Sequence, residues 1–210
     1  MRKFVVFGNC VKKLTKLLTR RCFHGSAVVR GLLFVFGGSI DIHWSSSTSV
    51  EFMDVESGQQ WHKGPEIPSK VRLPEVTSME QDVYLLHTED NVLLKLNVER
   101  KSWSQKLAIP GVGWYGARMI QVKDKLCVVG GYNNMHAWYT PSTDTWLLSA
   151  TKPSFCHAHG ALLYRQNTIF IIGGCDQKKV ESYDLDTGVW SVCDWEMPKA
   201  VGFLHGLMLG

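Results

Sequence analysis

The sequence predicts an all-β protein, a β-propeller whose blades are four-stranded antiparallel sheets. Two observations support this fold class. A tryptophan recurs at intervals of 42, 43 and 44 residues, and a proline follows each tryptophan after seven or eight residues. Units of about 43 residues that divide into short strands have the length of one propeller blade, so about four blades are expected. The tryptophans are Trp61, Trp103, Trp146 and Trp190, and the prolines are Pro68, Pro110, Pro153 and Pro198.

Within each unit the local pattern is that of strands and turns. Short runs rich in Val, Ile, Phe and Tyr alternate with clusters of Gly, Asn, Asp, Ser and Pro, as in an antiparallel sheet. Seven residues before the last three tryptophans stand Leu96, Tyr139 and Tyr183, each at the start of a turn-like link. The predicted units are 23–68, 69–110, 111–153 and 154–198, followed by a terminal strand at 203–209.

Three of the units contain an apolar run that ends in two glycines. We expect each pair to end an inner strand, where neighbouring blades lie close together. The backbone there needs φ and ψ angles that residues with a side chain rarely adopt. The second unit lacks the pair, since His87 and Thr88 stand in its place, so the geometry of its inner turn stays open. The pairs are Gly37 and Gly38, Gly130 and Gly131, and Gly173 and Gly174.

Residues 1–22 form a basic segment that contains no acid. One interpretation is a degenerate remnant of a preceding blade, because residues 4–9 resemble the strand end at 34–39. The alternative is a mitochondrial presequence, which is also basic and acid-free. The scarcity of serine in the segment favours the blade remnant.

The formal net charge of +4 is concentrated at the amino terminus. Residues 1–40 hold eight Lys or Arg and no acid, which leaves 15 basic against 19 acidic residues in the rest of the chain. A nucleic-acid partner needs clustered cations on the folded surface and is therefore not expected. Membrane association is not expected either, because the apolar runs are far shorter than the roughly 20 residues of a spanning helix.

The sequence offers little material for catalysis or metal binding. His157 and His159 would lie on one face of a strand, a geometry that can hold a metal ion. We favour a structural role, because His159 matches His24 and His205 in the sequence repeat and no carboxylate is near in sequence. The six cysteines are dispersed without a CxxC pair, which favours reduced thiols. No catalytic residues, no metal and no cofactor are therefore predicted.

The fourth unit resembles the kelch repeat, in which a hydrophobic run and Gly-Gly are followed by a spaced Tyr and then a Trp. The matching residues are Ile169–Gly174, Tyr183 and Trp190, and the resemblance covers about residues 23–210. Kelch propellers usually have five to seven blades, whereas this chain stops inside a unit after four. We therefore expect the carboxy-terminal part of a longer propeller, whose open blade edges promote self-association.

The resemblance implies a protein-interaction module rather than an enzyme, although galactose oxidase shares the fold. Many kelch chains belong to BTB-kelch proteins, in which the propeller captures a substrate and an upstream BTB domain recruits a cullin-type ubiquitin ligase. No BTB or helical BACK segment is visible here, so ligase recruitment would require upstream domains. The alternative is a cytoskeletal, actin-associated kelch scaffold. The expected location is the cytoplasm, with the nucleus and mitochondrial import as alternatives.

The loops between strands are the expected binding surface, because the blades hold them rigid while their sequences vary. The longest loop is Ser39–Ser49, which carries aromatic anchor residues suited to a protein partner. In-phase tryptophans are assigned to the core, whereas the out-of-phase Trp44, Trp114, Trp138 and Trp195 are divided between packing and binding. The predicted partner-binding residues are Ile42, His43, Trp44, Trp114, Tyr115, Tyr132, Asn133, Asn134, His136, Asp176, Gln177 and Lys178.

Overall fold

The computed structural model describes residues 4–7 and 10–202, and for residues 4–7 and 10–13 the backbone alone. The predicted strand at 203–209 lies outside this range. Within it, the strands form one two-stranded sheet and four four-stranded antiparallel sheets, which confirms the predicted all-β, bladed fold class. Among these residues no helix has the length and hydropathy required to cross a bilayer.

Each four-stranded sheet is one blade, made of four strands consecutive in the chain. A hairpin of β1 (Phe4–Phe7) and β2 (Cys10–Lys13) precedes the first blade. The first blade contains β3 (Gly25–Val29), β4 (Leu32–Phe36), β5 (Val50–Asp54) and β6 (His62–Lys63). The second contains β7 (Glu75–Met79), β8 (Asp82–His87), β9 (Val92–Asn97) and β10 (Ser102–Gln105). The third contains β11 (Ala117–Val122), β12 (Lys125–Gly130), β13 (Met135–Thr140) and β14 (Thr145–Leu148). The fourth contains β15 (Ala161–Arg165), β16 (Thr168–Ile172), β17 (Lys179–Asp184) and β18 (Val189–Glu196).

The chain divides into two compact units. Of the described residues, unit 1 comprises those up to His87 together with Leu94–Gln105, and unit 2 comprises Thr88–Leu93 and residues 106–202. In unit 1 a buried cluster joins Leu14 to Val35, Met53 and Trp61 of the first blade. In unit 2 one apolar cluster links the third and fourth blades; it contains Val122, Cys127, Val129, Leu162, Ile169, Ile171 and Tyr183.

Three of the four recurring tryptophans attach their blade to the segment that leads into it, whereas the indole N–H of Trp190 points to Nδ1 of His136 on β13 at 3.3 Å. The indole N–H of Trp61 donates to O of Thr15 at 3.1 Å, and that of Trp103 donates to O of Pro65 at 3.0 Å. Trp146 makes the equivalent bond to O of Leu107 at 2.7 Å. A buried or half-buried indole N–H requires a hydrogen-bond acceptor. The repeated tryptophan therefore contributes an apolar ring for packing and also a hydrogen bond.

The tryptophans differ in burial, although all four were assigned to the core. Trp61 is buried, whereas Trp103, Trp146 and Trp190 are partly exposed. These three lie on the outer strands β10, β14 and β18. Trp103, Trp146 and Trp190 stand opposite Leu96, Tyr139 and Tyr183 on the neighbouring strand.

Residues 14–21 run along the first blade and belong to its packing. Leu14 is buried in the core cluster of that blade, and Thr15 accepts the indole hydrogen bond of Trp61. Much of the segment that composition marks as separate is therefore part of the first blade. Its basic character does not prevent this, because Lys16 and Arg20 point into solvent.

The glycine pairs adopt left-handed backbone angles at points of close backbone approach. Gly131 has φ of +73°, and a Cβ added there would lie 2.5 Å from O of Gly113. Gly38 has φ of +90°, and its Cβ would lie 2.5 Å from O of Cys22. In the second blade His87 and Thr88 are buried and have no positive φ, so its inner strand ends in a different turn.

The turn that closes the third blade depends on Asp144. Its Oδ1 accepts hydrogen bonds from Tyr139 Oη at 2.7 Å and from the N–H of Leu107 at 3.0 Å, and these bonds hold the carboxyl pKa below its ordinary value. The stabilisation is therefore present above the unfolded pKa near 3.9 and is lost as the pH falls through the folded pKa. We expect Tyr139→Phe to lower the free energy of unfolding by about 1 kcal/mol at pH 7. Urea unfolding should show this gap closing on acidification, and a gap independent of pH would contradict it.

Candidate protein-binding loops

The residues predicted to bind a partner fall on loops of both units, and each surface is described by itself. In unit 1 the long loop after β4 is a hydrogen-bonded turn. Asp41 Oδ1 accepts the N–H groups of His43 and Ser45, both at 2.9 Å, and the N–H of Ile40 donates to O of Ser45 at 3.1 Å. These bonds, of which those from Ser45 contribute most, lower the pKa of Asp41. Residues 40–45, called here the tip loop, therefore hold a defined conformation.

The tip loop displays apolar side chains to solvent. Ile42 is 87% exposed and Trp44 is 52% exposed, and Ile40 beside them is also exposed. The Trp44 ring lies 5.1 Å from the Phe23 ring, which supports one of its faces. Trp44 has φ of +63°, a strained conformation for a non-glycine residue that the surrounding hydrogen bonds maintain.

Removing the Asp41 carboxylate should loosen the tip loop without unfolding the blade. We expect Asp41→Ala to accelerate amide hydrogen exchange at His43 and Ser45 about tenfold, the factor for one lost hydrogen bond to a charged group. Asp41→Asn retains an acceptor oxygen and should show a smaller change. Unchanged exchange at both amides in Asp41→Ala would mean that the turn is held by other contacts.

In unit 2 three rings form a surface group, called here the aromatic cluster: Tyr115, Tyr132 and His159. The Tyr115 and Tyr132 rings are parallel to within 2°, with centroids 5.9 Å apart. The buried His159 ring meets Tyr115 edge-on at 5.2 Å and Tyr132 at 6.4 Å. Burial, and secondarily the charge of Arg118, lowers the pKa of His159 to about 4, so the ring is neutral at physiological pH.

Polar and apolar residues on the adjoining loops surround the aromatic cluster. Tyr132 is 56% exposed, Val112 is 75% exposed, and the Asn133 amide donates to O of Val112 at 3.4 Å. The loop after β16 is a tight turn, in which Gln177 Oε1 accepts the N–H groups of Lys178 and Lys179. Asp176 and Lys178 of this turn are exposed, and Asn134 and Gln177 are half-buried.

Two predicted anchors are not on the surface. Trp114 is fully buried, and its indole N–H donates to O of Pro110 at 2.9 Å, so it closes its own loop. His136 is buried on β13 against Tyr183 and Trp190, and burial lowers its pKa to about 4. Neither residue is the solvent-exposed anchor that the sequence suggested, because Trp114 is buried within its own loop and His136 is buried on β13. Of the other out-of-phase tryptophans, Trp138 is half-buried and Trp195 is exposed on β18.

The structure also corrects the alignment of the histidines. Each blade has one residue with positive φ just before its first strand: Phe23, Leu73, Gly116 and His159. His159 therefore corresponds to Phe23, not to His24. Across the described part of the chain, no three His, Cys, Asp or Glu side chains are grouped so that they could hold a metal ion.

Two buried glutamates form the most connected polar groups of the blades, and sequence reasoning missed both. In the first blade Arg21 and Glu51 are paired at 2.6 Å, fully buried, and Arg21 also donates to O of Gly37 at 2.8 Å. The Glu51 carboxylate accepts the N–H groups of Leu18 and Thr19 at 2.7 and 2.9 Å. The glutamate therefore fastens the segment leading into the blade to β5.

The fourth blade repeats this arrangement with a histidine in place of the arginine. His157 Nε2 lies 2.9 Å from Glu181, and Nδ1 lies 2.6 Å from O of Gly173. Glu181 accepts the N–H groups of Ser154 and Phe155 at 2.8 and 2.9 Å. Burial alone would raise the pKa of Glu181, but the hydrogen bond from His157 and the two backbone N–H groups outweigh it and lower the pKa.

The second and third blades fill the same two positions with apolar residues. Val71 and Leu94 occupy them in the second blade, and Trp114 and Ala137 occupy them in the third, all buried. The two positions thus change together, from cation and acid to two apolar side chains. The sequence does hold a signal for these pairs. Glu51 and Glu181 each stand two residues before the repeat position that Tyr occupies in the third and fourth blades, and a basic residue, Arg21 or His157, precedes the first strand of the same blade.

Comparisons with known proteins agree with this architecture. The family model of the Kelch motif matches residues 20–68 and 159–194. The chain is 25% identical over 180 residues to Kelch-like protein 36 of Mus musculus and 22% identical over 190 residues to Kelch-like protein 38 of Rattus norvegicus. These matches cover 76% and 83% of this chain, but only 29% and 32% of the relatives, so the chain spans about a third of their length.

A solved structure supports the fold independently. The structure of YjhT superposes with a TM-score of 0.73 at 14% sequence identity, over 86% of this chain and 67% of that one. At this level of sequence identity, the similarity to YjhT supports the fold alone. Together with the motif match and the repeated blades, it shows a kelch-type β-propeller architecture, and the chain is similar in sequence to kelch-like proteins.

Proposed function

We propose that this chain is a protein-interaction module that binds a partner through its exposed loops, with the tip loop of unit 1 and the aromatic cluster of unit 2 as separate candidate surfaces. We propose further that it provides substrate recognition for a cullin-RING ubiquitin ligase adaptor. The observation that carries the proposal is the tip loop, where Ile42 and Trp44 are exposed on a turn fixed by Asp41. Exposed apolar side chains that are already ordered lose little conformational entropy on binding. Such residues are typical anchors of protein interfaces.

The aromatic cluster supports the same function in unit 2. Its rings present flat, rigid surfaces, and its histidine is neutral at physiological pH, so no unpaired charge has to be desolvated there. Asn133, Asp176 and Lys178 supply a polar rim beside it. An apolar centre with a polar rim is the usual composition of a protein–protein interface.

The adaptor role rests on the relationship to kelch-like proteins. In BTB-kelch proteins the propeller holds the substrate and an upstream domain recruits the ligase. For this chain we propose substrate capture in the cytoplasm, with recruitment dependent on domains that lie upstream of the propeller. The alternative to the adaptor role is an actin-associated scaffold. The two roles would use the same loops, so the loops alone do not distinguish them.

The proposal is tested by crosslinking in cells followed by mass spectrometry of the proteins bound to the tagged chain. We expect Ile42→Ser with Trp44→Ser, or Tyr132→Ser, to reduce recovery of a specific partner at least tenfold, roughly the effect of losing one or two anchor residues. Leu147→Ser is the matched control, because Leu147 is 66% exposed on the outer strand β14 and belongs to neither the tip loop nor the aromatic cluster. An equal loss in the control would contradict loop-mediated binding.

A second measurement separates the adaptor from its rival. Expression of the chain should slow the ubiquitin-dependent turnover of the captured partner if the chain competes with a complete adaptor, and the loop variants should not. Sedimentation of the chain with actin filaments, abolished by the same variants, would instead support the scaffold role.

A further inference from the structure

Tyr132 presents the most exposed ring of the aromatic cluster. It is 56% exposed, whereas Tyr115 is half-buried and His159 is buried. The Tyr115 ring packs against it and is parallel to it within 2°. Desolvation, together with nearby acidic groups that include Asp176, raises the pKa of the Tyr132 phenol, so the ring is neutral at physiological pH. The face of a neutral aromatic ring attracts cations, because its π electrons give it a negative potential.

The carboxylate of Asp176 stands near this ring. Asp176 is exposed, and none of the residues that the structure describes forms a hydrogen bond or an ion pair with its side chain. The turn that carries it is attached to the cluster, because the N–H of Cys175 donates to O of Ala158 at 2.8 Å and Ala158 precedes His159. Asp176 therefore holds a negative charge in a defined position next to the aromatic cluster.

The neighbouring basic residues are engaged elsewhere. Lys179 pairs with Glu196 on β18 at 2.9 Å. The hydrogen bond from Lys179, and to a smaller extent the charge of Lys178, lowers the pKa of Glu196, so both lysines direct their charge toward β18. Arg118 is buried and donates to two backbone carbonyl oxygens, at 2.6 and 3.3 Å. These residues leave Asp176 available to a cation that a partner supplies.

We propose that the aromatic cluster binds an arginine side chain of the partner, with its guanidinium stacked on Tyr132 and paired with Asp176. This inference rests on the proposed function and adds the chemistry of the partner at this surface. A guanidinium is planar, stays protonated and is weakly hydrated, so it can stack on a ring and bind a carboxylate at the same time. A lysine ammonium is a compact, strongly hydrated charge and should bind less tightly. A carboxylate of the partner would be repelled by Asp176.

The test selects peptides from a random display library on the immobilised wild-type chain and keeps those whose binding is lost in Tyr132→Ser. We expect arginine to be enriched in these peptides. In a selected peptide, citrulline then replaces the arginine, because citrulline has nearly the same shape and no charge. The replacement should weaken binding about tenfold, the combined effect of a cation–π contact and an exposed ion pair.

Variants of two aspartates show whether the arginine is paired with Asp176. Asp176→Asn removes the charge and keeps a residue type that tolerates the φ of +57° at this position. In this variant the penalty for citrulline should fall to about threefold, the part that the ring contact contributes. Asp186→Asn removes an exposed carboxylate from the turn before β18, so it is the matched control and should retain the full penalty. An equal penalty in Asp176→Asn and in the wild type would overturn the proposal.

The outcomes separate this inference from the proposed function. Peptides that depend on Tyr132 but show no enrichment of arginine would overturn the inference and leave binding by the loop in place. Peptides that depend only on Ile42 and Trp44 of the tip loop would also overturn it, because the aromatic cluster would then bind no peptide. If the selected peptides depended on neither surface, the proposed function itself would fail.

Discussion

Replacing Glu181 with alanine is expected to lower the free energy of unfolding by about 3–5 kcal/mol, because three buried hydrogen bonds to its carboxylate are lost while their partners stay buried. The substitution leaves Nε2 of His157 without its carboxylate partner and removes the acceptor for the N–H groups of Ser154 and Phe155. Urea unfolding monitored by tryptophan fluorescence measures the loss. The same substitution at Glu51 should have an effect of similar size in unit 1, because the contacts there are equivalent.

A matched control and a rescue sharpen this experiment. Glu99→Ala removes an exposed carboxylate that lies 3.5 Å from Arg30, and it should cost less than about 1 kcal/mol. The double variant His157→Val, Glu181→Leu copies the apolar pair of the second blade and should be more stable than Glu181→Leu alone, because no buried polar ring is left without its partner. Equal stability of the double and single variants would refute the view that the pair acts as a unit.

The second large effect is expected at Gly131. Alanine there would combine a left-handed backbone, which costs about 1–2 kcal/mol for a residue with a Cβ, with a contact to the carbonyl oxygen of Gly113 that cannot be accommodated without movement. We expect a total loss of about 3 kcal/mol or more in the free energy of unfolding. Thermal or urea unfolding of Gly131→Ala measures it.

Gly188 separates the two contributions. It has a similar φ of +69°, but an added Cβ would meet only Tyr183 Oη at 3.6 Å, an ordinary contact. Gly188→Ala should therefore show the backbone cost alone. If the two variants lost the same stability, close approach would not be the reason for glycine at position 131.

The repeat made the fold predictable from sequence, whereas the contents of the candidate surfaces were only partly accessible. Periodic Trp and Gly-Gly positions are constrained by local geometry, so they repeat and can be counted. The exposure of Trp114 could not be predicted from the repeat. A tryptophan outside the repeated positions is compatible with an exposed loop and also with a buried site. The register of the first strand decides between them, and it is marked by positive φ at Phe23, Leu73, Gly116 and His159, residues of unlike type.

The two buried pairs could not be predicted from the sequence for a related reason. Arg21 and Glu51 are 30 residues apart and His157 and Glu181 are 24 apart, because the loop after β4 is longer than the loop after β16. No fixed spacing connects the two cases. Only the strand register brings each acid opposite its cation.

The paired positions also limit the mutational routes open to a blade. Passing from a charged pair to an apolar pair needs two substitutions, and each single intermediate buries one charge without its partner. An exchange of arginine for histidine keeps a hydrogen-bonding partner for the acid, so a single substitution connects these two versions. If the blades descend from a common ancestor, blades with a basic residue and a glutamate at these positions should therefore form one lineage and blades with two apolar residues another. The blade with histidine would belong to the first lineage.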